Sequence, residues 1–253
     1  MIDVDQLFDN YLNDYLARRG NDMSYSEIER KISEIYEEFI DSPQMALNGY
    51  SPKGYFENMD TETLIKTLVD SVDNAISVSD VLCSALARRE DSEDGLIDLI
   101  DESNDELSTY AVNILNEKGS LKPLRKYIEI VRNEEASESL TETVLEGLCS
   151  NANAVKEEII YAFENSGREQ KQFVEVLACM DKDDRVYDLL ISEFESDLKN
   201  LSLNASYLAK YGDERAVNPL LKRLEKGGLT QIETGEIISA IKKLGGEVPE
   251  DLN

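Results

Sequence analysis

The stretch Ala205-Ser206-Tyr207-Leu208-Ala209-Lys210-Tyr211-Gly212-Asp213-Glu214-Arg215-Ala216-Val217-Asn218-Pro219-Leu220-Leu221-Lys222-Arg223-Leu224 reads as helix, tight turn, helix. Gly212 stands where a left-handed residue would end the first helix, a conformation that costs glycine no Cβ clash, and Asp213 follows as a side-chain cap for the second. Pro219 is expected where the second helix begins to bend. Outward from this unit the chain repeats itself. Val155, Ile159 and Phe163 recur 31 residues later as Val186, Leu190 and Phe194, and the first two recur again as Val217 and Leu221. Leu177 recurs as Leu208, Lys122-Pro123-Leu124 resembles Asn218-Pro219-Leu220 at a spacing of 96, and Leu148-Cys149 matches Ala178-Cys179 at a spacing of 30. A helix pair this short cannot bury its apolar face alone, so a fixed period of this kind predicts stacked pairs with one continuous core. The expected fold is all-α, an α/α superhelical solenoid of stacked helix hairpins. No apolar-polar alternation bounded by hairpin turns predicts a sheet.

The core Leu-x-x-x-Gly-Asp-x-Arg-Ala-Val-x-Pro-Leu-Leu, running from Leu208 to Leu221, resembles a HEAT repeat of the short, phycobilin-lyase-like type. Asn151-Ala152-Asn153-Ala154-Val155 and Asp181-Lys182-Asp183-Asp184-Arg185-Val186 keep the turn and the apolar stripe of that pattern but lose its glycine. The resemblance extends over roughly Ser79 to Gly246, and nothing before Ser79 matches it. It implies an armadillo/HEAT-type superhelix used mainly as a binding scaffold, a fold that hosts many unrelated roles. Some HEAT-like proteins, the alkylpurine glycosylase type among them, grip DNA, which is the enzyme alternative that the resemblance brings.

Residues 1–60 read as a helical hairpin followed by a loop, a cap or recognition module ahead of a repeat domain at 61–253. Leu7, Phe8, Tyr11, Leu12, Tyr15 and Leu16 fall on one helical stripe, and Ile28, Ile32, Ile35, Tyr36 and Phe39 on another, opened by the capping-box spacing of Ser24 and Glu27. Between Asp41 and Asp60 two prolines and two glycines break the pattern. Leu47, Tyr50, Tyr55 and Phe56 there are more apolar than a linker needs, so the segment is expected to pack on neighbouring helices, with Tyr50, Tyr55 and Phe56 as candidate partner contacts. From Thr61 a further stripe of Leu64, Ile65, Leu68, Val69, Val72 and Ile76 begins the series of short helices.

Composition narrows the chemistry. With 53 Asp plus Glu against 26 Lys plus Arg the net charge is −27, while 41% hydrophobic residues suffice to fill a core, so the chain is not a disordered acidic tail. There is no histidine, the commonest general base near neutral pH and a frequent zinc ligand, and no tryptophan to stack on a sugar. Three cysteines without a C-x-x-C pair read as small buried hydrophobes in a reducing compartment. The stretch Asp91 to Glu106 carries eight acids and no base. Overlapping it, Glu90, Ser92, Asp94, Gly95, Ile97, Asp98 and Asp101 fall near calcium-loop positions, but Glu stands first and Asp last, and Leu96, Ile97, Leu99 and Ile100 read as a helix stripe after a turn at Ser92. Phosphate-cradling glycine loops are absent. The densest basic cluster, Lys210, Arg215, Lys222, Arg223 and Lys226, is interleaved with Asp213, Glu214 and Glu225, which predicts intra-repeat ion pairs and not a phosphate-binding groove.

No nucleophile with an identifiable activator occurs, and no catalytic, cofactor-binding or metal residue is assigned. No apolar run approaches membrane-span length, and residues Met1 to Asp5 do not read as a secretory leader, so a cytoplasmic location is expected. The functional expectation is a non-enzymatic scaffold that binds a protein partner, basic if the surface charge is used, on the groove of its solenoid, without nucleic acid, membrane or metal. The alternative is an acidic inhibitor or immunity-type protein whose carboxylates mimic a nucleic-acid backbone and occupy a basic nuclease or toxin.

Overall fold

A computed structural model describes residues 2–19, 24–100, 104–133, 135–165 and 171–249. Among the described residues there are fifteen α-helices and no strand, each packed on near neighbours in sequence. The chain divides into two compact units, Met1–Ser120 and Leu121–Asn253. The division expected at residue 60 therefore falls inside the first unit.

In the first unit the helices are α1 (Val4–Arg19), α2 (Tyr25–Asp41), α3 (Pro52–Glu57), α4 (Thr61–Asp73), α5 (Asp80–Arg88), α6 (Glu93–Leu99) and α7 (Asp105–Lys118). The two N-terminal stripes meet through their rings: Phe8 lies 5.0 Å edge-on from Tyr36 and 5.3 Å from Phe39, with Tyr11 5.4 Å from Phe39. At the start of α2 the Glu27 carboxylate accepts from the Ser24 amide at 2.9 Å, as the capping spacing predicts, and this bond holds its carboxyl below the usual range. The proline-rich segment is more ordered than its composition suggests. Ser51 caps Gly54 N–H at 3.1 Å and Pro52 takes the first helical position, where its missing N–H is no loss, so α3 forms and docks on α2 and α5.

Successive turns of this unit are tied by cations that cap helix ends. The Arg89 guanidinium donates to the Glu57 and Met59 carbonyls at 2.7 and 2.6 Å, and the Lys118 ammonium to those of Ala87 and Arg89 at 3.1 and 2.6 Å. Within the acidic stretch Glu93–Leu99 forms helix α6, as its stripe predicts: Leu96, Leu99 and Ile100 are buried, and Ser92, fully buried, donates to the Leu86 and Arg89 carbonyls. Gly95 lies inside α6 against Ile65, where a calcium loop would need it to turn. Asp101 and Glu102 of that stretch lie outside the described residues.

In the second unit the helices are α8 (Leu124–Val131), α9 (Glu138–Ser150), α10 (Lys156–Asn165), α11 (Gln172–Ala178), α12 (Asp184–Ser196), α13 (Leu201–Tyr211), α14 (Val217–Lys226) and α15 (Gln231–Lys243). They alternate between two layers: α9, α11, α13 and α15 pack successively on one another, while α8, α10, α12 and α14 pack chiefly on members of that first layer. This is solenoid stacking of helix pairs. Leu177 and Leu208, expected at equivalent core positions, are both buried, as are Val155, Ile159, Val186, Leu190 and Phe194. Gly212 adopts the left-handed conformation with φ 77°, and the Asp213 carboxylate accepts from Arg215 N–H at 3.0 Å.

Two details of the repeat differ from the expectation. Asp183 caps Arg185 N–H at 2.8 Å just as Asp213 caps Arg215, so the period at this turn is 30 and not 31. The third copy of the stripe is accordingly Ala216, Leu220 and Leu224, all buried, and Val217 and Leu221 are half-buried beside it. Pro219 sits in the first turn of α14, where an absent N–H removes no helical bond.

Candidate functional site

Along the second layer of the second unit, charged side chains join consecutive repeats. Arg125 of α8 reaches Glu158 of α10 at 3.4 Å, and Arg185 of α12 clasps Glu157 of α10 with one bond of 2.5 Å and another of 3.0 Å. Lys156 meets Asp183 at 2.5 Å. Arg215 bonds both Asp213 at 2.7 Å and Asp184 at 2.8 Å, and its guanidinium lies 4.1 Å over the Tyr187 ring. The basic cluster expected to pair within its own repeat thus reaches the preceding one as well. Lys210 does the same, 3.4 Å from Glu175. The Lys156 ammonium and the Arg185 amide hold the Asp183 carboxyl at about 2, well below its ordinary 3.8.

Between α8 and α10 this layer opens into a cleft of about 590 Å³ lined by Arg125, Ile128, Glu129, Arg132, Glu157, Glu158, Tyr161 and Ala162. Tyr161 is 68% exposed, off the buried stripe of its helix, with Ile128 and Ala162 as an apolar floor. Two arginines, three carboxylates and a projecting phenol make a surface suited to a peptide with both apolar and basic side chains. The sequence held a signal for it: the equivalent positions in the next two repeats are Ser192 and Lys222, so Tyr161 is a large ring where the repeat otherwise places polar groups.

A second constellation lies at the first-layer helix ends. Cys149 of α9, Cys179 just past α11 and Lys210 of α13 occupy one repeat position in three successive pairs, at spacings of 30 and 31. The two thiols and the Lys210 ammonium interact electrostatically. Cys179 Sγ also lies 3.3 Å from the Glu175 carbonyl. The neighbouring Cys149 thiol and the Lys210 ammonium pull the Cys179 thiol below the usual range against burial and the Glu175 carboxylate, while the neighbouring Cys179 thiol and burial push the Cys149 thiol up. Both cysteines are half-buried. Cys83 in the first unit behaves otherwise: burial, with Asp80 and Glu117 nearby, raises its thiol to about 12.

Of the three residues singled out as partner contacts, Phe56 is buried at 3% exposure and belongs to the core beneath α3. Tyr55 is half-buried, 5.4 Å edge-on from Phe56, and Tyr50 alone of the three is exposed. They do not form one surface, because the helical turn of α3 aims Phe56 inward. No helix among the described residues is long and apolar enough to cross a membrane. No protein-family model matches this chain, and no curated protein is similar to it.

Proposed function

We propose that the protein is a HEAT-like repeat scaffold, cytoplasmic and without catalytic activity, that binds a protein partner bearing a basic, partly apolar segment in the cleft between α8 and α10. The observation that carries this reading is the exposed Tyr161 set on an apolar floor and ringed by charged side chains. Exposed aromatic anchors of this kind supply much of the affinity in protein interfaces, and the surrounding acids favour encounter with a basic partner. Direct nucleic-acid binding is disfavoured because Arg125, Lys156, Arg185, Lys210 and Arg215 are engaged with carboxylates of this chain.

A second reading rests on the charge itself. With these cations committed to pairing within the chain, a net charge of −27 leaves carboxylates in excess, as a decoy for a basic nuclease or toxin would require. The two readings separate in a capture experiment from cell extract on immobilised wild type and Tyr161→Ala. A scaffold loses its partner at least about tenfold in the variant, the scale of one interface anchor. A partner retained equally by both proteins and stripped by modest salt supports the decoy and overturns the scaffold.

A further inference from the structure

On the reading that the cleft between α8 and α10 binds a protein partner, we propose that Glu129 sets its specificity. Glu129 reads a single Lys or Arg beside the apolar anchor of the partner segment, and Arg132 excludes a second cation. The ion pairs already made within the chain carry this assignment. Three carboxylates line the cleft, but two are occupied: Glu158 by Arg125 at 3.4 Å, and Glu157 by Arg185 at 2.5 and 3.0 Å. Glu129 is exposed, and no cation among the described residues pairs with it. A carboxylate already compensated by a guanidinium of its own chain offers a ligand cation little, whereas Glu129 keeps its full charge for one.

The position of Glu129 points the same way. Arg125 and Glu158 stand in the first turns of α8 and α10, so their pair spans the cleft at the helix starts. Ile128, Glu129, Arg132, Tyr161 and Ala162 line the remainder. Glu129 follows Ile128 directly and precedes Arg132 by three residues, so the two charges share one helix face. An apolar side chain seated on Ile128, Ala162 and the Tyr161 ring therefore has one free carboxylate beside it and a guanidinium a turn farther on. Arg132 is exposed and likewise unpaired among the described residues, so it repels a second cation at that place. The fit is to an apolar residue flanked by one basic residue. A surface acting through the net charge of −27 would instead take the most basic peptide offered.

The test is selection of a displayed library of random dodecapeptides on the immobilised full chain. Wild type should enrich peptides with a large apolar residue and one Lys or Arg near it in sequence. Glu129→Lys should enrich an acidic residue in place of that cation, and Arg132→Glu should enrich a second cation. Glu146→Lys, the same change at an exposed position of α9 outside the cleft, should return the wild-type motif. In solution, replacing the cation of a selected peptide by alanine should weaken binding to wild type about fivefold, the scale of one exposed ion pair, and leave binding to Glu129→Gln unchanged. An unchanged cation preference in Glu129→Lys, with binding still lost in Tyr161→Ala, would overturn the role of Glu129 and leave the cleft as the site. Peptides that bind Tyr161→Ala as well as wild type, enrichment of polybasic peptides whatever their apolar content, or no common motif would overturn both the cleft and the role of Glu129.

Discussion

Ala75 occupies a left-handed backbone conformation that, among the described residues, is otherwise taken by glycines and by Asn48. Its φ is 52°, and the following Ile76 amide closes back on the Ser71 carbonyl at 2.9 Å, the arrangement found at Gly119 and Gly245 with Ser120 on Leu115 and Gly246 on Ile241. A Cβ in that region is strained, so Ala75→Gly should stabilise the protein by about 1 kcal/mol, read as a higher denaturation midpoint at unchanged slope. Tyr127 is the converse case: fully buried, with its hydroxyl lacking a hydrogen-bond partner. Tyr127→Phe removes a desolvated polar group and should leave stability unchanged or raise it by about 1 kcal/mol; a loss would mean that the hydroxyl is bonded in solution. Asp183 carries a pH signature. Its carboxyl titrates at about 2 in the fold against an ordinary 3.8, so its contribution is complete above about pH 4 and lost as pH falls through about 2. The difference in melting temperature between wild type and Asp183→Asn should be steady near neutral pH and shrink across that window.

At the level of the helix pair, the period was legible because buried aliphatics must recur wherever pairs stack, and Leu177 and Leu208 are 0% and 1% exposed. Either one replaced by alanine should cost about 2–5 kcal/mol in equilibrium unfolding, and a neutral result at both would break the repeat alignment. The register of the third copy was less legible. Val217 and Leu221 are as apolar as the buried Ala216 and Leu220, and the one-residue offset is set by the caps at Asp183 and Asp213, which hydrophobicity does not report. α3 was hidden for a related reason: proline and glycine signal a break, but Ser51-Pro52 is also a helix start. Partner candidates chosen for aromatic content alone included the buried Phe56 and missed Tyr161, whose signal is a departure from the pattern of its own repeat.

Across the whole chain, a net charge of −27 opposes the compact state, while each exposed ion pair between repeats adds at most about 1 kcal/mol. Screening should therefore favour folding, and the melting temperature should rise from low salt to physiological ionic strength; a fall would mean that the inter-repeat pairs outweigh the repulsion. The scaffold reading meets its most direct trial in the affinity of the captured partner, measured by calorimetry across a salt series for wild type and Tyr161→Ala. Expected is binding that weakens only modestly with salt in the wild type and falls at least about tenfold in the variant at every salt concentration. An affinity that collapses with salt and is indifferent to Tyr161 would contradict it.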